Sequence, residues 1–290
     1  MQMNPFSRII SGVMNWGSWG ARLSIQQMER QIDFCVALGI TSFDHADLYG
    51  GYTTEAEFGR AFRTTGINRD QVQLISKCGI QMPCEARPLP LKYYDYSAKH
   101  LQYSIENSLK ALKTDYLDLL LLHRPSPLLE PESIAESVQK LLKQGKIKSF
   151  GVSNFTPSQI AWLQSEIKPT WNQIECSLTH EAPFFDGSVD YLNAHKMGVM
   201  AWSPLGSYYK LQDSKTKRIT DCMRALKAKY NCSEDQLLLA WLLKHPSKLH
   251  PVLGTTKPER IKKSLEALEI KLELTDWFLL LKASQGEEVP

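Results

Sequence analysis

The chain has 290 residues, of which 43% are apolar and 22% are charged, a balance that is typical of globular proteins. Lysine and arginine number 34 against 31 for aspartate and glutamate, a net charge of +3, which is too small to indicate a nucleic-acid partner. This composition excludes a disordered chain, a disulfide-rich miniprotein and a bundle of membrane helices. The length is ample for a large core.

The cysteines indicate a reducing compartment. The chain has six of them at irregular spacing, none in a C-x-x-C pair: Cys35, Cys78, Cys84, Cys176, Cys222 and Cys232. We therefore expect free, buried or half-buried thiols and no metal site. Residues 1–19 lack the apolar segment of a signal peptide, and the apolar run 117–122 is far too short for a membrane span. These features predict a cytoplasmic protein without membrane contact.

Apolar strand-like segments alternate with helical patterns along the whole chain. In chain order, the strand-like segments cover residues 9–13, 40–43, 72–76, 116–122, 147–152, 170–174, 198–202 and 251–253. Between them, apolar residues recur at the spacing of amphipathic helices, as in Met28, Ile32, Cys35 and Val36; Leu101, Ile105, Leu109 and Leu112; Ile134, Val138 and Leu141; and Ile261, Leu265 and Leu268. Thr156 followed by Pro157, and Ser233 with Gln236, have the spacing of helix starts.

Eight strands with intervening helices predict an α/β fold, a (β/α)8 TIM barrel that forms a single domain over residues 1–290. A doubly wound parallel sheet is the main alternative. Its dinucleotide-binding form is disfavoured because no G-x-G-x-x-G follows any predicted strand.

Polar residues follow one predicted strand after another, where a barrel carries its catalytic groups. Asp44 follows the second strand, Lys77 the third and His123 the fourth. Taken singly, each has a structural explanation: a turn cap, a solvated lysine and a core histidine, with Tyr49 as packing. Together they indicate a site, because a buried lysine requires a carboxylate partner and Asp44 is placed to supply it.

Six segments of the sequence resemble the aldo-keto reductase family. They are F-D-H-A-D-L-Y-G (43–50), L-I-S-K-C-G (74–79), L-L-L-L-H-R-P (119–125), G-V-S-N-F (151–155), W-S-P-L-G (202–206) and G-T-T-K-P-E-R-I (254–261). Their order and spacing match the family from about residue 9 to residue 268. The stretches H-A-D-L-Y-G-G-Y and S-K-C-G-I are most similar to a bacterial YdhF-like branch.

The resemblance implies reduction of aldehydes or ketones to alcohols with NADPH, and a catalytic tetrad of Asp44, Tyr49, Lys77 and His123. The chemistry of these residues is consistent with those roles. A carbonyl oxygen that gains negative charge needs a proton donor, and a tyrosine with an ordinary pKa of about 10 needs a nearby cation to stabilise its anion. Lys77 supplies that cation, Asp44 keeps it charged, and His123 orients the substrate oxygen.

The resemblance also implies an NADP(H) site at the remaining strand ends. Ser153, Asn154 and Gln173 match the carboxamide contacts, and Trp202 matches the aromatic ring that stacks on the nicotinamide. Further matches are Ser203, Leu205 and Gly206 along the pyrophosphate, and Gly254, Thr255, Thr256, Lys257 and Arg260 around the 2′-phosphate. An arginine at a helix start suits a phosphate, although a plain capped helix explains Thr256-Lys257-Pro258 almost as well. The sequence departs from the family at Gly254, where many members have a basic residue, and at Lys263-Ser264, where many have an acid–amide pair.

Aromatic residues are expected to form the substrate pocket for a small-molecule carbonyl compound. The candidates are Trp16, Trp19, Tyr52 and Tyr208, beside a long segment, 81–96, that is rich in proline and tyrosine. The tail 286–290 is short, which predicts an open, permissive pocket. We expect a monomer or a weak homo-oligomer.

Two other functions remain open at this point. A barrel aldolase would use Lys77 as a Schiff-base amine, but Tyr49 and the segment 254–261 would then have no role. A non-catalytic, cofactor-sensing regulatory subunit would share the fold. A short-chain dehydrogenase is disfavoured because the chain contains no Tyr-x-x-x-Lys.

Overall fold

The computed structural model describes residues 6–288, and ten strands lie within that range. They are β1 (Ile10–Gly12), β2 (Ser42–Asp44), β3 (Gln73–Cys78), β4 (Ile80–Gln81), β5 (Tyr93–Tyr94), β6 (Leu119–Leu122), β7 (Phe150–Ser153), β8 (Trp171–Glu175), β9 (Gly198–Trp202) and β10 (His250–Leu253). All except β4 and β5 form one closed parallel barrel in the order β1-β10-β9-β8-β7-β6-β3-β2. The predicted barrel is confirmed.

The ring closes through β1, which pairs with a strand on each side. Gly12 lies opposite Asp44 of β2, and Ile10 lies opposite Val252 of β10. Because all eight strands run in the same direction, their carboxyl ends open on one face of the barrel. The residues that directly follow each barrel strand therefore lie at that face.

Helices follow the strands and cover the outside of the barrel. They are α1 (Ile25–Ala37), α2 (Tyr49–Tyr52), α3 (Thr54–Phe62), α4 (Ala98–Leu112), α5 (Pro131–Lys143), α6 (Pro157–Gln164), α7 (Ser188–Ala194), α8 (Ser214–Tyr230), α9 (Glu234–Lys244), α10 (Pro258–Glu266) and α11 (Leu274–Gln285). The predicted start of α6 is confirmed: the Thr156 hydroxyl accepts from the Gln159 N–H at 3.3 Å, and the Gln159 side chain accepts from the Thr156 N–H at 2.9 Å. This reciprocal pair provides acceptors for two backbone N–H groups that have no acceptor within the helix.

Apolar side chains fill the barrel from its amino-terminal end. Phe6 packs edge-on against Trp171, with ring centroids 5.0 Å apart, and the interior cluster also contains Ile75, Leu121 and Met200. A second, larger apolar layer lies between the barrel and the helices. The buried Asp44 and Lys77 lie beyond this apolar cluster, towards the carboxyl-terminal end of the barrel.

Two features of the fold differ from the sequence prediction. Residues 80–94 contain a short hairpin in which Ile80 pairs with Tyr94 and Gln81 with Tyr93, whereas the sequence analysis predicts no strand between residues 76 and 116. Several strands also begin later than predicted; Leu117, for example, forms only an isolated bridge to Ile147. The predicted apolar segments are longer than the paired strands because residues that precede a strand still pack beneath the helices.

All six cysteines are free, as expected, and Cys35, Cys78 and Cys176 are buried. Within residues 6–288, no helix is both long and apolar enough to cross a bilayer. Residues 1–5, at the start of the segment considered as a leader, and Val289 and Pro290, at the end of the short tail, lie outside the described residues.

Candidate active site

Strand β3 delivers a lysine into the barrel because successive side chains of a strand point to opposite faces. Ile75 belongs to the apolar interior, and Lys77, two residues later, points the same way. Ser76 faces outward, where its hydroxyl donates to Glu55 of α3 at 2.6 Å. Lys77 is only 1% exposed, so its charge must be neutralised inside the protein.

Lys77 is the centre of a buried hydrogen-bond network. Its ammonium donates to Asp44 Oδ2 at 2.7 Å, to the backbone oxygen of His45 at 2.8 Å and to the Tyr49 hydroxyl oxygen at 3.1 Å. The other carboxylate oxygen of Asp44 accepts from Gln173 Nε2 at 2.8 Å. All three ammonium protons are thus used, and the lysine is held in one position.

This network sets the protonation of both Lys77 and Tyr49. Burial acts against the charge of Lys77, but Asp44 and Tyr49 more than offset it, so the pKa of Lys77 is raised. Burial also raises the pKa of Tyr49, against the opposing effect of Lys77. At neutral pH the site therefore holds a protonated tyrosine beside a charged lysine.

His123 is a neutral imidazole beside Tyr49. Burial, and then the charge of Lys77, lower the pKa of His123 well below its usual range. Its ring lies 6.1 Å from the Tyr49 ring, nearly perpendicular to it. Nδ1 is shielded and has no partner within residues 6–288, which leaves Nε2 as the nitrogen that a substrate oxygen can reach.

The predicted carboxamide contacts meet at the ends of β7 and β9. Asn154 Nδ2 donates to Ser153 Oγ at 2.8 Å, and Asn154 Oδ1 accepts from Trp202 Nε1 at 2.8 Å. Asn154 and Ser203 have φ angles of +62° and +49°, in a region that non-glycine residues rarely adopt. Gln173 has its amide nitrogen engaged by Asp44, so its oxygen is the atom left for a ligand. Backbone strain at the ends of two strands that flank β8 is typical of a binding site.

The loop after β9 is shaped around a glycine. Gly206 has a φ angle of +57°, and a Cβ there would lie 1.9 Å from Thr179 Oγ1. The same hydroxyl accepts from the Ser207 N–H at 2.9 Å, while Leu205 packs on the outer apolar layer. The tight turn keeps this loop close to the mouth of the barrel.

The segment after β10 leads into α10 with exposed cations. Gly254 is exposed, and its oxygen accepts from Asn15 Nδ2 at 3.0 Å. Thr255 Oγ1 accepts from the Lys257 N–H at 3.2 Å. Lys257 and Arg260 are exposed and form no ion pair within the described chain, and Thr256 is half-buried beside them. A helix start with a free lysine and arginine fits a phosphate group.

Two of the four predicted pocket residues lie elsewhere, so that part of the prediction is wrong. Trp16 has no exposed surface and packs against Phe43 and Phe58, with ring centroids 6.2 and 5.9 Å away. Tyr208 is buried, and its hydroxyl is hydrogen-bonded to Thr220 of α8 at 2.9 Å. Both residues belong to the packing beneath the rim.

The other two lie at the rim beside the tetrad. Trp19 is 41% exposed, and its ring centroid is 6.1 Å from that of Tyr49. The Tyr52 hydroxyl accepts from the Met82 N–H at 2.9 Å, and the Arg87 guanidinium lies 3.6 Å from the centre of its ring. Trp19 is therefore a wall of the opening, whereas Tyr52 fastens the segment 80–94 to it.

Comparison with known proteins identifies the family. Residues 8–282 match the model of the aldo/keto reductase family. The chain belongs to this family. Since the match covers nearly the whole chain, it includes all four residues of the predicted tetrad and every strand of the barrel.

Curated relatives agree with this assignment and with the YdhF-like branch. The chain is 38% identical to the uncharacterised oxidoreductase YcsN of Bacillus subtilis and 37% identical to the oxidoreductase YdhF of Escherichia coli, each over 98% of this chain and 96% of the relative. It is also 37% identical to a 6-dehydroglucose reductase of Agrobacterium fabrum, with the same coverage.

Solved structures share the barrel. A thermostable aldo-keto reductase in complex with the inhibitor epalrestat matches with a TM-score of 0.80 and 26% identity, over 95% of this chain and 94% of that one. An aldo/keto reductase of Klebsiella pneumoniae in complex with NADP and acetate matches with a TM-score of 0.79 and 26% identity, over 98% and 93%.

This aldo/keto reductase has a second polar layer that the sequence analysis missed. Glu55 is buried and Asp47 is half-buried; the Ser104 hydroxyl donates to Asp47 at 2.7 Å, and the Ser76 hydroxyl of β3 donates to Glu55 at 2.6 Å. Burial raises the pKa of Asp47 to about 6 and that of Glu55 to about 7. The Asp47 N–H also donates to the Lys77 backbone oxygen at 3.0 Å, so this layer supports the loop that carries the tetrad.

The raised pKa of Glu55 predicts a contribution to stability that falls as pH rises. Between pH 4.5 and about 7 the unfolded chain releases the Glu55 proton while the folded protein keeps it, so the unfolded state gains stability across that window. Glu55→Gln keeps the uncharged form and should remove the Glu55 contribution to this slope, while the contribution of Asp47, whose pKa is about 6, remains. We expect the variant to be more stable than the wild type at pH 8, by on the order of 3 kcal/mol, in urea unfolding at pH 5 and pH 8.

The matched control is Glu85→Gln, which removes an exposed carboxylate from the segment between β4 and β5. It should leave the pH dependence of the unfolding free energy as in the wild type. Equal slopes for Glu55→Gln and the wild type would show that Glu55 is ionised in the folded protein.

Proposed function

We propose that this aldo/keto reductase uses NADP(H) to reduce aldehydes or ketones to alcohols, reversibly in principle. The observation that carries the proposal is the Lys77 network. A charged lysine lies 3.1 Å from a protonated, buried tyrosine and is held there by Asp44 at 2.7 Å. This arrangement can deliver a proton to an oxygen that is gaining negative charge, and it can stabilise the tyrosinate left behind.

When bound, NADPH supplies the hydride that reduces the carbonyl carbon. Tyr49 donates its hydroxyl proton to the carbonyl oxygen. Lys77 stabilises the resulting tyrosinate without giving up its own proton, because Asp44 and the His45 backbone oxygen keep the ammonium in place. His123, neutral and open at Nε2, orients the carbonyl oxygen towards Tyr49. In the reverse direction the same tyrosinate accepts the proton of an alcohol.

The residues at the other strand ends support NADP(H). Trp202 offers a ring beside the strained Asn154 and Ser203, and Lys257 and Arg260 are unpaired within the described chain at the start of α10. The related structure from Klebsiella pneumoniae contains NADP. A free guanidinium at a helix start provides charge-assisted hydrogen bonds to a phosphate, which favours NADPH over NADH.

Neither alternative function accounts for the site as well. A Schiff-base lysine must be neutral to attack a carbonyl, whereas Lys77 has a raised pKa and three hydrogen-bond acceptors. A regulatory subunit without activity has no need of an intact proton-transfer network. We therefore expect no adduct on Lys77 after borohydride trapping with an aldehyde.

Cofactor binding tests the proposal directly. Fluorescence titration should give a Kd for NADPH roughly 10- to 100-fold below that for NADH, the range expected for hydrogen bonds between a guanidinium and a phosphate. Arg260→Ala should remove most of this preference, and Arg224→Ala, which removes an exposed arginine paired with Asp221 on α8, should retain it. Equal affinities in the wild type would contradict the choice of NADPH.

Turnover then defines the substrate. NADPH oxidation should be measured with aliphatic, aromatic and sugar-derived carbonyl compounds, including 6-dehydroglucose, the compound that the Agrobacterium fabrum relative is named for. The exposed Trp19 beside Tyr49 supports an open pocket with a broad range of aldehydes. Strict selectivity for one aldehyde would contradict the open pocket and leave the reaction class intact.

The free thiols support a reducing compartment, so we propose a cytoplasmic location. We also propose a monomer or a weak homo-oligomer, which size-exclusion chromatography with light scattering distinguishes from a stable assembly.

A further inference from the structure

Arg124 is a cation at the mouth of the site, and its side chain pairs with no acid in the described part of the chain. It directly follows His123 and is half-buried. Its side chain forms no ion pair and no hydrogen bond within residues 6–288, and its one contact of note is with the Trp202 ring, whose centroid lies 5.5 Å from the guanidinium carbon. A guanidinium has five N–H donors that suit a planar anion, so this one is available to a ligand.

The backbone of Arg124 is held firmly although its side chain is free. The Tyr96 hydroxyl accepts from the Arg124 N–H at 3.1 Å and donates to the Arg124 oxygen. Tyr96 can reach this position because Gly79, with a φ angle of +106°, has no side chain; a Cβ there would lie 2.0 Å from the tyrosine ring. The fold thus fixes the backbone position of Arg124, while the five N–H donors of its guanidinium have no acceptor within residues 6–288.

The charges around Arg124 make this part of the mouth positive. Burial is the largest influence on the pKa of both Tyr49 and His123, but the charge of Arg124 acts on both, and that of Lys92 acts on His123. Asp44, the acid of the tetrad, is already paired with Lys77. A negatively charged ligand group would therefore meet the charge of Arg124 here, while Asp44 is occupied by Lys77.

We propose that Arg124 binds the carboxylate of an oxoacid substrate while Tyr49 and His123 hold its carbonyl group. The proposal rests on the proposed function and names the substrate class. A guanidinium matches a carboxylate through two parallel N–H donors, and the carbonyl is reduced at the tetrad. The aromatic walls alone predict an apolar substrate; Arg124 adds a fixed anchor for the other end of the molecule.

A matched pair of four-carbon aldehydes tests this inference. Succinic semialdehyde carries a carboxylate, and butanal does not. We expect the ratio of their kcat/KM values to favour succinic semialdehyde in the wild type and to fall by about 10- to 100-fold in Arg124→Met, the range for a hydrogen-bonded charge pair. Arg124→Lys should give an intermediate ratio because an ammonium cannot form the two parallel bonds.

Two further measurements separate this role from cofactor binding. Succinate, which is not reduced, should bind the NADPH-loaded wild type and bind Arg124→Met more weakly by a similar factor. The Kd for NADPH should be equal in the two proteins. Arg224→Met, on the exposed face of α8, is the control for loss of a positive charge and should keep the wild-type ratio.

The outcomes distinguish the inference from the function it rests on. An unchanged ratio in Arg124→Met, with both aldehydes reduced by the wild type, overturns the anchor and leaves the reductase standing. A weaker Kd for NADPH with an unchanged ratio assigns Arg124 to a cofactor phosphate and also overturns the inference. If the wild type reduces neither aldehyde nor any other carbonyl compound, the proposed function fails and the anchor fails with it.

Discussion

Tyr49→Phe is expected to lower kcat for carbonyl reduction by about 10³-fold or more, with a Kd for NADPH close to that of the wild type. The change removes one oxygen from a ring that is 9% exposed and keeps the packing of that ring against Trp19 and His123. What is lost is the proton donor, a contribution of roughly 10²- to 10⁴-fold. The upper part of that range applies because, within residues 6–288, Tyr49 carries the one hydroxyl that hydrogen-bonds to Lys77. Stopped-flow measurement of NADPH oxidation gives the rate, and fluorescence titration gives the Kd.

Tyr103→Phe is the matched control. Tyr103 is 54% exposed on α4, so the same loss of a hydroxyl there should leave both quantities at their wild-type values. Retained turnover in Tyr49→Phe would mean that the proton comes from another group, with His123 the nearest. Loss of NADPH binding would mean instead that the hydroxyl supports the cofactor site.

The barrel could be predicted from the sequence because its strands and helices have distinct periods. Apolar segments of three to seven residues alternate with apolar residues at helical spacing, and each strand–helix pair returns the chain to the same face of the barrel. The hairpin at residues 80–94 was not predictable in the same way. Its paired positions, Gln81 and Tyr93, are joined by a long segment with no two-residue turn signal, and the tyrosines of β5 are exposed.

The tetrad could be predicted because its residues stand where strands end, and the family resemblance assigned their roles. No comparable rule predicts which way a side chain points in a loop. The side chains of Trp16 and Tyr208 point inward and pack, although both loops lie at the catalytic face.

The buried Glu55 did leave a signal in the sequence. It lies three residues before Phe58 and seven before Phe62, on the apolar face of α3, so a carboxylate interrupts a buried stripe. Arg124 left no such signal in the sequence, because only the folded structure shows which groups surround its side chain.

The Lys77–Asp44 pair joins the chemistry of this site to the stability of the barrel. Both side chains are almost fully buried, at 1% and 4% exposure, with 2.7 Å between Nζ and Oδ2. Removing one member of such a pair leaves the other buried and uncompensated, which typically costs about 3–5 kcal/mol. Removing both costs much less, because no charge is then left in the barrel.

Lys77→Met should therefore lower the free energy of unfolding by about 3–5 kcal/mol, and the double variant Lys77→Met/Asp44→Asn should recover most of that loss. An asparagine at position 44 still offers an oxygen to Gln173 Nε2, as Asp44 does at 2.8 Å. Activity should not recover: both variants lack the cation 3.1 Å from the Tyr49 hydroxyl, so both should stay about 10³-fold or more below the wild type. Urea unfolding and NADPH oxidation on the same samples separate the two effects. A stable but inactive double variant would show that the Lys77–Asp44 pair is needed for catalysis and not for stability. An active double variant would show that Lys77 has no role in the reaction.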